Sequence, residues 1–145
     1  MKTESAFDID LQNYSVHQIS LEDIAAVQEV YEKCLDYMLV VDGRAADPDA
    51  VEEDFQSVPP GKSNEDKFVF GITDSQKLLV GLLDILRWYP DKTTWWIGEL
   101  VLVPESRSKS LGEKVIQGLV AYVRENGAQN IMLGVVEENM RAYKF

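Results

Sequence analysis

The sequence predicts a mixed α/β domain in the order β-α-α-β-β-β-α-β-α, on three observations. Alternating or continuous apolar runs mark five strands, and apolar residues at helical spacing mark the helices between them. Near the C-terminus a strand, a long helix and another strand follow one another directly, which calls for a parallel crossover.

The first strand is "NYSVHQI", which alternates polar and apolar residues. In "SLEDIAAVQEVYEKCLDYM", Ile24, Val27, Val30, Tyr31 and Leu35 fall on one helical face, and Ser20 with Asp23 offers an N-terminal cap. A short second helix follows in "DPDAVEEDFQSV", with Asp47 as cap and Pro48 at the first helical position. "PPGKSNED" reads as loop. "KFVFGIT" and "KLLVGLLDILRWY" are strands joined by "DSQ" into an antiparallel hairpin, and "PDKTT" turns the chain into the strand "WWIGELVLV". The long helix runs from Leu111 to about Asn126 and stops at Gly127, a residue suited to closing a helix. "NIMLGVV" makes the fifth strand, and "ENMRAYKF" starts a last helix.

The 145 residues suit one domain, spanning 1–145. Such a chain buries about two thirds of the surface its unfolded form exposes. The formal charge is 14 − 25 = −11, which repels nucleic acid and anionic membrane at long range. No stretch reaches the ~20 apolar residues of a membrane span, and the N-terminus has no apolar leader, so the expectation is a cytoplasmic protein. Cys34 is the only cysteine and His17 the only histidine, so no metal site is expected, and the helical flanks of Cys34 point to a buried, inert thiol.

One stretch asks for an anion. "RSKSLGEK" puts Arg107, Lys109 and Lys114 where a helix begins, although that end already carries roughly +0.5 of partial charge. The anion is either a bound phosphate or the carboxylate of Glu113. The second case is a capping box, with the Ser110 hydroxyl and the Glu113 carboxylate satisfying the first N–H groups of the helix.

From Ile97 to Phe145 the chain resembles the C-terminal half of the GCN5-related N-acetyltransferases (GNAT). Their Gln/Arg-x-x-Gly-x-Gly/Ala motif is matched by Arg107, Ser110 and Gly112, with serine at the first glycine position, and their Asn-x-x-Ala-x-x-Phe motif by Asn139, Ala142 and Phe145. The resemblance implies a GNAT-like fold that lacks the family's last two strands, and thus a domain truncated at its C-terminus. It implies direct attack of a primary amine, on a small molecule or peptide, on the thioester of acetyl-CoA, with no metal. Coenzyme A contacts are then expected from Val101, Leu102 and Val103 on the strand, from Arg107, Ser108, Lys109, Ser110, Leu111 and Gly112 in the turn, and from Asn139. The tyrosine that follows the second motif in many relatives lies beyond Phe145.

The proton of the amine needs an acceptor. Glu99 and Asp84 are the two acids set inside otherwise apolar strands, so both are candidate catalytic residues, although either could instead point to solvent from a one-sided sheet. Without further strands "NIMLGVV" would be an open apolar edge, which predicts a homodimer. The alternative function is a non-catalytic acetyltransferase-like module that binds an acyl-CoA or a partner protein.

Overall fold

The computed structural model describes residues 7, 9, 13–41, 43, 45, 47–107 and 110–134. Among the described residues five strands, β1 (Ser15–Gln18), β2 (Lys67–Thr73), β3 (Leu79–Arg87), β4 (Thr94–Leu102) and β5 (Asn130–Leu133), form one sheet in sequence order. β1 to β4 pair antiparallel, and β5 pairs parallel to β4 after the crossover through α4 (Leu111–Glu125). The hairpin, the parallel crossover and the end of α4 before Gly127, whose φ is +90°, all follow the sequence pattern. The last helix lies outside the described residues.

The first long helix differs from expectation. A 3-10 turn, Leu21–Asp23, leads into it and carries the predicted Ser20 and Asp23 cap, in which Ser20 Oγ accepts from the Glu22 amide and Asp23 accepts from the Ser20 amide. The helix then breaks at Cys34 into α1 (Ile24–Lys33) and α2 (Leu35–Val41). At the break Cys34 has φ −102° and ψ 35°, and its Sγ lies 3.4 Å from the Leu102 carbonyl at the end of β4. Burial pushes this thiol up to about 11, consistent with an inert role. The second predicted helix is α3 (Pro48–Gln56), capped by Asp47, whose Oδ1 accepts from the Asp49 amide at 2.8 Å.

The sheet is covered on both faces, because β2, β3 and β4 are apolar almost throughout. On one face α4 presents Leu111, Val115, Leu119 and Val123, all buried, while its Tyr122 meets Phe70 and Trp95 edge-on with ring centroids 5.9 and 6.0 Å apart. On the other face α1 and α3 stand over β2 and β3 without closing on them, and a pocket remains between helices and sheet.

Two glycines shape the strands. A Cβ on Gly81 would come within 2.8 Å of the Val101 carbonyl and 2.6 Å of the Leu102 side chain. Backbone cannot yield as a flexible side chain can, so Gly81→Ala is expected to lower stability by about 1–3 kcal/mol, measurable by denaturant unfolding. The second is Gly98. Asp84 lies opposite Glu99 but Ile85 lies opposite Ile97, which leaves Gly98 as an extra residue in β4, a bulge. β5 pairs with β4 only from Thr94 to Ile97, so the bulge stands where that pairing stops. Beyond it, among the described residues, no strand covers the outer edge of β4 from Gly98 to Leu102.

Candidate active site

The pocket has a volume of about 480 Å³, with a floor of Lys67, Val69, Leu82, Asp84, Leu86, Trp96 and Glu99 from the sheet. α1 contributes Val27 and Tyr31, α3 contributes Val51, Asp54 and Phe55, and Tyr89 and Pro90 close one side. Strand pairing explains why the two acids meet here. Residues opposite one another in an antiparallel pair share a face, and Asp84 and Glu99 are opposite, so both point into the pocket and neither points to solvent.

Glu99 keeps a little of its surface open to the pocket while its carboxyl is held by two tyrosines. The Tyr31 hydroxyl donates to Oε1 and the Tyr37 hydroxyl donates to Oε2 at 3.2 Å. In one unbroken helix, residues six apart would stand about 120° apart around the axis. The break at Cys34 re-aims α2, so that tyrosines from two helices converge on one carboxyl. Burial pushes Glu99 up to about 7, and the charge of Asp84 pushes the same way, against the two tyrosine hydrogen bonds. Burial and the Glu99 carboxylate also raise the Tyr31 hydroxyl, which makes it a weak acid and a firm hydrogen-bond donor.

Asp84 is held by Lys67, whose Nζ lies 3.3 Å from Asp84 Oδ2. Burial raises the Asp84 carboxyl, and Lys67 offsets only part of that rise. The same ammonium donates to the carbonyls of Asp54 at 2.6 Å and Ser57 at 2.7 Å, which ties the end of α3 to the sheet. Neither Tyr31, Tyr37 nor Lys67 was expected at a site. Tyr31 has the spacing of a core residue, and Lys67 reads as the polar start of an apolar strand; only the acids across from them mark their role.

The turn before α4 is built differently from a capping box. Ser110 has φ +63° and ψ 9°, a left-handed conformation, and its side chain makes no cap hydrogen bond. Glu113 interacts instead along its own helix, with Gln117 Nε2 at 3.5 Å. Among the described residues, neither Ser110 nor Glu113 closes the N-terminus of α4. Arg107 faces inward: Nη1 and Nη2 grip Asp36 at 2.6 and 3.1 Å, and Nε donates to the Leu102 carbonyl at 2.8 Å. This fork holds the Asp36 carboxyl below its ordinary range and fixes the turn to α2 and to the end of β4. Val101, Val103 and Leu111 are buried, Leu102 and Gly112 partly so. Ser108, Lys109 and Asn139 lie outside the described residues. Among the described residues no group of three or more His, Cys, Asp or Glu could hold a metal, and no helix is long and apolar enough to cross a membrane.

Solved structures share this architecture. An acetyltransferase from Thermus thermophilus superposes with a TM-score of 0.79 at 18% identity, over 95% of this chain and 85% of that one. A GNAT-family acetyltransferase from Bacillus anthracis gives 0.70 at 18% identity, over 95% and 78%. An aminoglycoside acetyltransferase from an uncultured soil metagenomic sample, solved with sisomicin, gives 0.63 at 13% identity, over 91% and 84%. No curated protein matches the sequence significantly. The sequence model described as the acetyltransferase (GNAT) family matches residues 24–145, which includes the split helix, the paired acids and the turn before α4. The chain belongs to the GNAT acetyltransferase family.

Proposed function

We propose that the protein is an N-acetyltransferase that moves acetyl from acetyl-CoA to a primary amine of a small molecule or peptide by direct attack. The observation that carries this reading is Glu99: a carboxyl poised near neutrality in the floor of a pocket, one residue past the bulge that opens the edge of β4. A base works best when its pKa lies near the working pH. Glu99 accepts a proton from the substrate ammonium, directly or through a water, and the two tyrosine hydroxyls orient the carboxylate. Asp84, paired with Lys67 and opposite Glu99, helps raise the Glu99 carboxyl toward neutrality.

The N-terminus of α4, which neither Ser110 nor Glu113 closes, and the uncovered edge of β4 support the coenzyme A assignment. N–H groups at a helix start suit a pyrophosphate, and the edge of β4 short of the Leu102 carbonyl, which Arg107 and Cys34 hold, suits the amide-bearing arm. Arg107 serves the turn by bracing it. Calorimetry should show coenzyme A binding, weakened in Arg107→Ala. In Ser110→Gly binding should tighten, because without a side chain at the turn a pyrophosphate can approach the backbone N–H groups more closely. Release of free thiol from acetyl-CoA with pooled amines tests the activity itself. The serine at the turn favours a second reading, a module that binds acyl-CoA without catalysis; coenzyme A binding without any thiol release would establish it.

A further inference from the structure

We propose that Asp36 is a positioning residue for the proton acceptor: held by Arg107, it sets α2 so that the Tyr37 hydroxyl stays on the Glu99 carboxyl. The inference rests on the acetyl-transfer reading, in which Glu99 takes the proton of the amine. A helix of 7 residues does not persist by itself, so α2 depends on what grips it. Its apolar packing is thin. Cys34 and Met38 are buried, whereas Leu35, Leu39 and Val40 all stand exposed. The rest of the grip is polar and leads to the strand that carries Glu99. Cys34 Sγ and Arg107 Nε both meet the carbonyl of Leu102, the last residue of β4, at 3.4 and 2.8 Å.

Asp36 and Tyr37 are consecutive, so they stand about 100° apart around α2. Arg107 clamps the first, and the second reaches Glu99 Oε2 at 3.2 Å, which together fix the rotation of the helix. An exposed ion pair alone is a poor anchor, and Asp36 is 63% exposed. Here the Arg107 side chain is only 16% exposed, its fork is bidentate and its Nε is tied to β4, so the guanidinium is a fixed point. What this setting governs is the charge state of Glu99. Tyr31 from α1 and Tyr37 from α2 donate to the carboxyl and favour its anionic form. Burial favours the neutral form, as do the charges of Asp54 on α3 and of Asp84 on β3, the latter paired with Lys67 on β2. Displacing Tyr37 therefore removes one of two donors that keep Glu99 able to accept a proton.

The test follows the Glu99 carboxyl by NMR through a pH titration of protein labelled in its glutamate carboxyls, the signal being identified by its loss in Glu99→Gln. In Tyr37→Phe the midpoint should rise by about 0.5–1 pH unit, the equivalent of one neutral hydrogen bond. Asp36→Asn should also raise it. Loss of the Asp36 charge would by itself lower the midpoint, so a rise reports the displaced hydroxyl. The double variant should rise no further than Tyr37→Phe alone, because Asp36 acts through Tyr37. At saturating acetyl-CoA with pooled amines, thiol release in either variant should fall about three- to tenfold at pH 6 and return to the wild-type rate at pH 9, where Glu99 is ionised in every form. A midpoint that stays or falls in Asp36→Asn, shifts that add in the double variant, or a deficit that persists at pH 9 would each overturn the proposal. A raised midpoint in Asp36→Asn with no thiol release from the wild type at any pH would overturn the acetyl-transfer reading and support the link through α2.

Discussion

Glu99→Gln is expected to lower turnover by about 100-fold or more, while coenzyme A affinity stays nearly unchanged. Glutamine keeps the shape and can still accept from a tyrosine hydroxyl, so the loss isolates the proton acceptor. The wild-type rate should rise with pH and level off above a midpoint near 7, the value to which burial pushes Glu99, and this dependence should vanish in the variant. Stability should move the other way. An acid whose folded pKa is raised binds more protons when folded, so its contribution falls as pH climbs from its ordinary 4.5 to about 7. Glu99→Gln should therefore gain stability relative to wild type across that window, by up to about 3 kcal/mol, and the gain should stay constant at higher pH. Denaturant unfolding at pH 5 and pH 8 reads this directly. Full turnover in the variant would place the base elsewhere, and an equal stability difference at both pH values would show that Glu99 is not perturbed.

The second large effect is expected from Lys67→Met. Removing one partner of a buried pair leaves the other uncompensated, at a cost of about 3–5 kcal/mol. Two features set where in this range the effect falls. The Asp84 side chain is 25% exposed, so water relieves part of its charge, but the carbonyls of Asp54 and Ser57 lose their donor as well. We expect about 3 kcal/mol, with the end of α3 loosened from the sheet. Adding Asp84→Asn should restore about 1–2 kcal/mol, since the stranded carboxylate is then gone. A double variant no more stable than Lys67→Met would mean that the carbonyl contacts, and not the ion pair, carry the effect.

The elements of this fold were legible along the chain because each rests on local rules. Ser20, Asp47 and Pro48 start helices, Gly127 ends one, and the apolar runs of β2, β3 and β4 have the length and side-chain type of buried strands. Asp84 and Glu99 stood out for the same reason, as charges placed where burial is the rule. The partners of those acids were not legible. Tyr31 and Tyr37 reach Glu99 only because the helix breaks at Cys34, and no glycine or proline marks that break. Lys67 meets Asp84 only through the register of β2 on β3, where Val69 lies opposite Asp84 and the lysine two residues away shares its face. At the turn, the local pattern of Ser110 and Glu113 favoured a capping box, and the bidentate hold of Arg107 on Asp36, 71 residues earlier, accompanies a different geometry. The sequence by itself determined which segments are helix or strand and which acids are out of place, because these depend on neighbours a few residues apart. Only the tertiary structure decided which groups hold those acids, because strand register, the helix break and the Arg107 bridge join residues far apart in sequence, and such contacts leave no periodic trace along the chain.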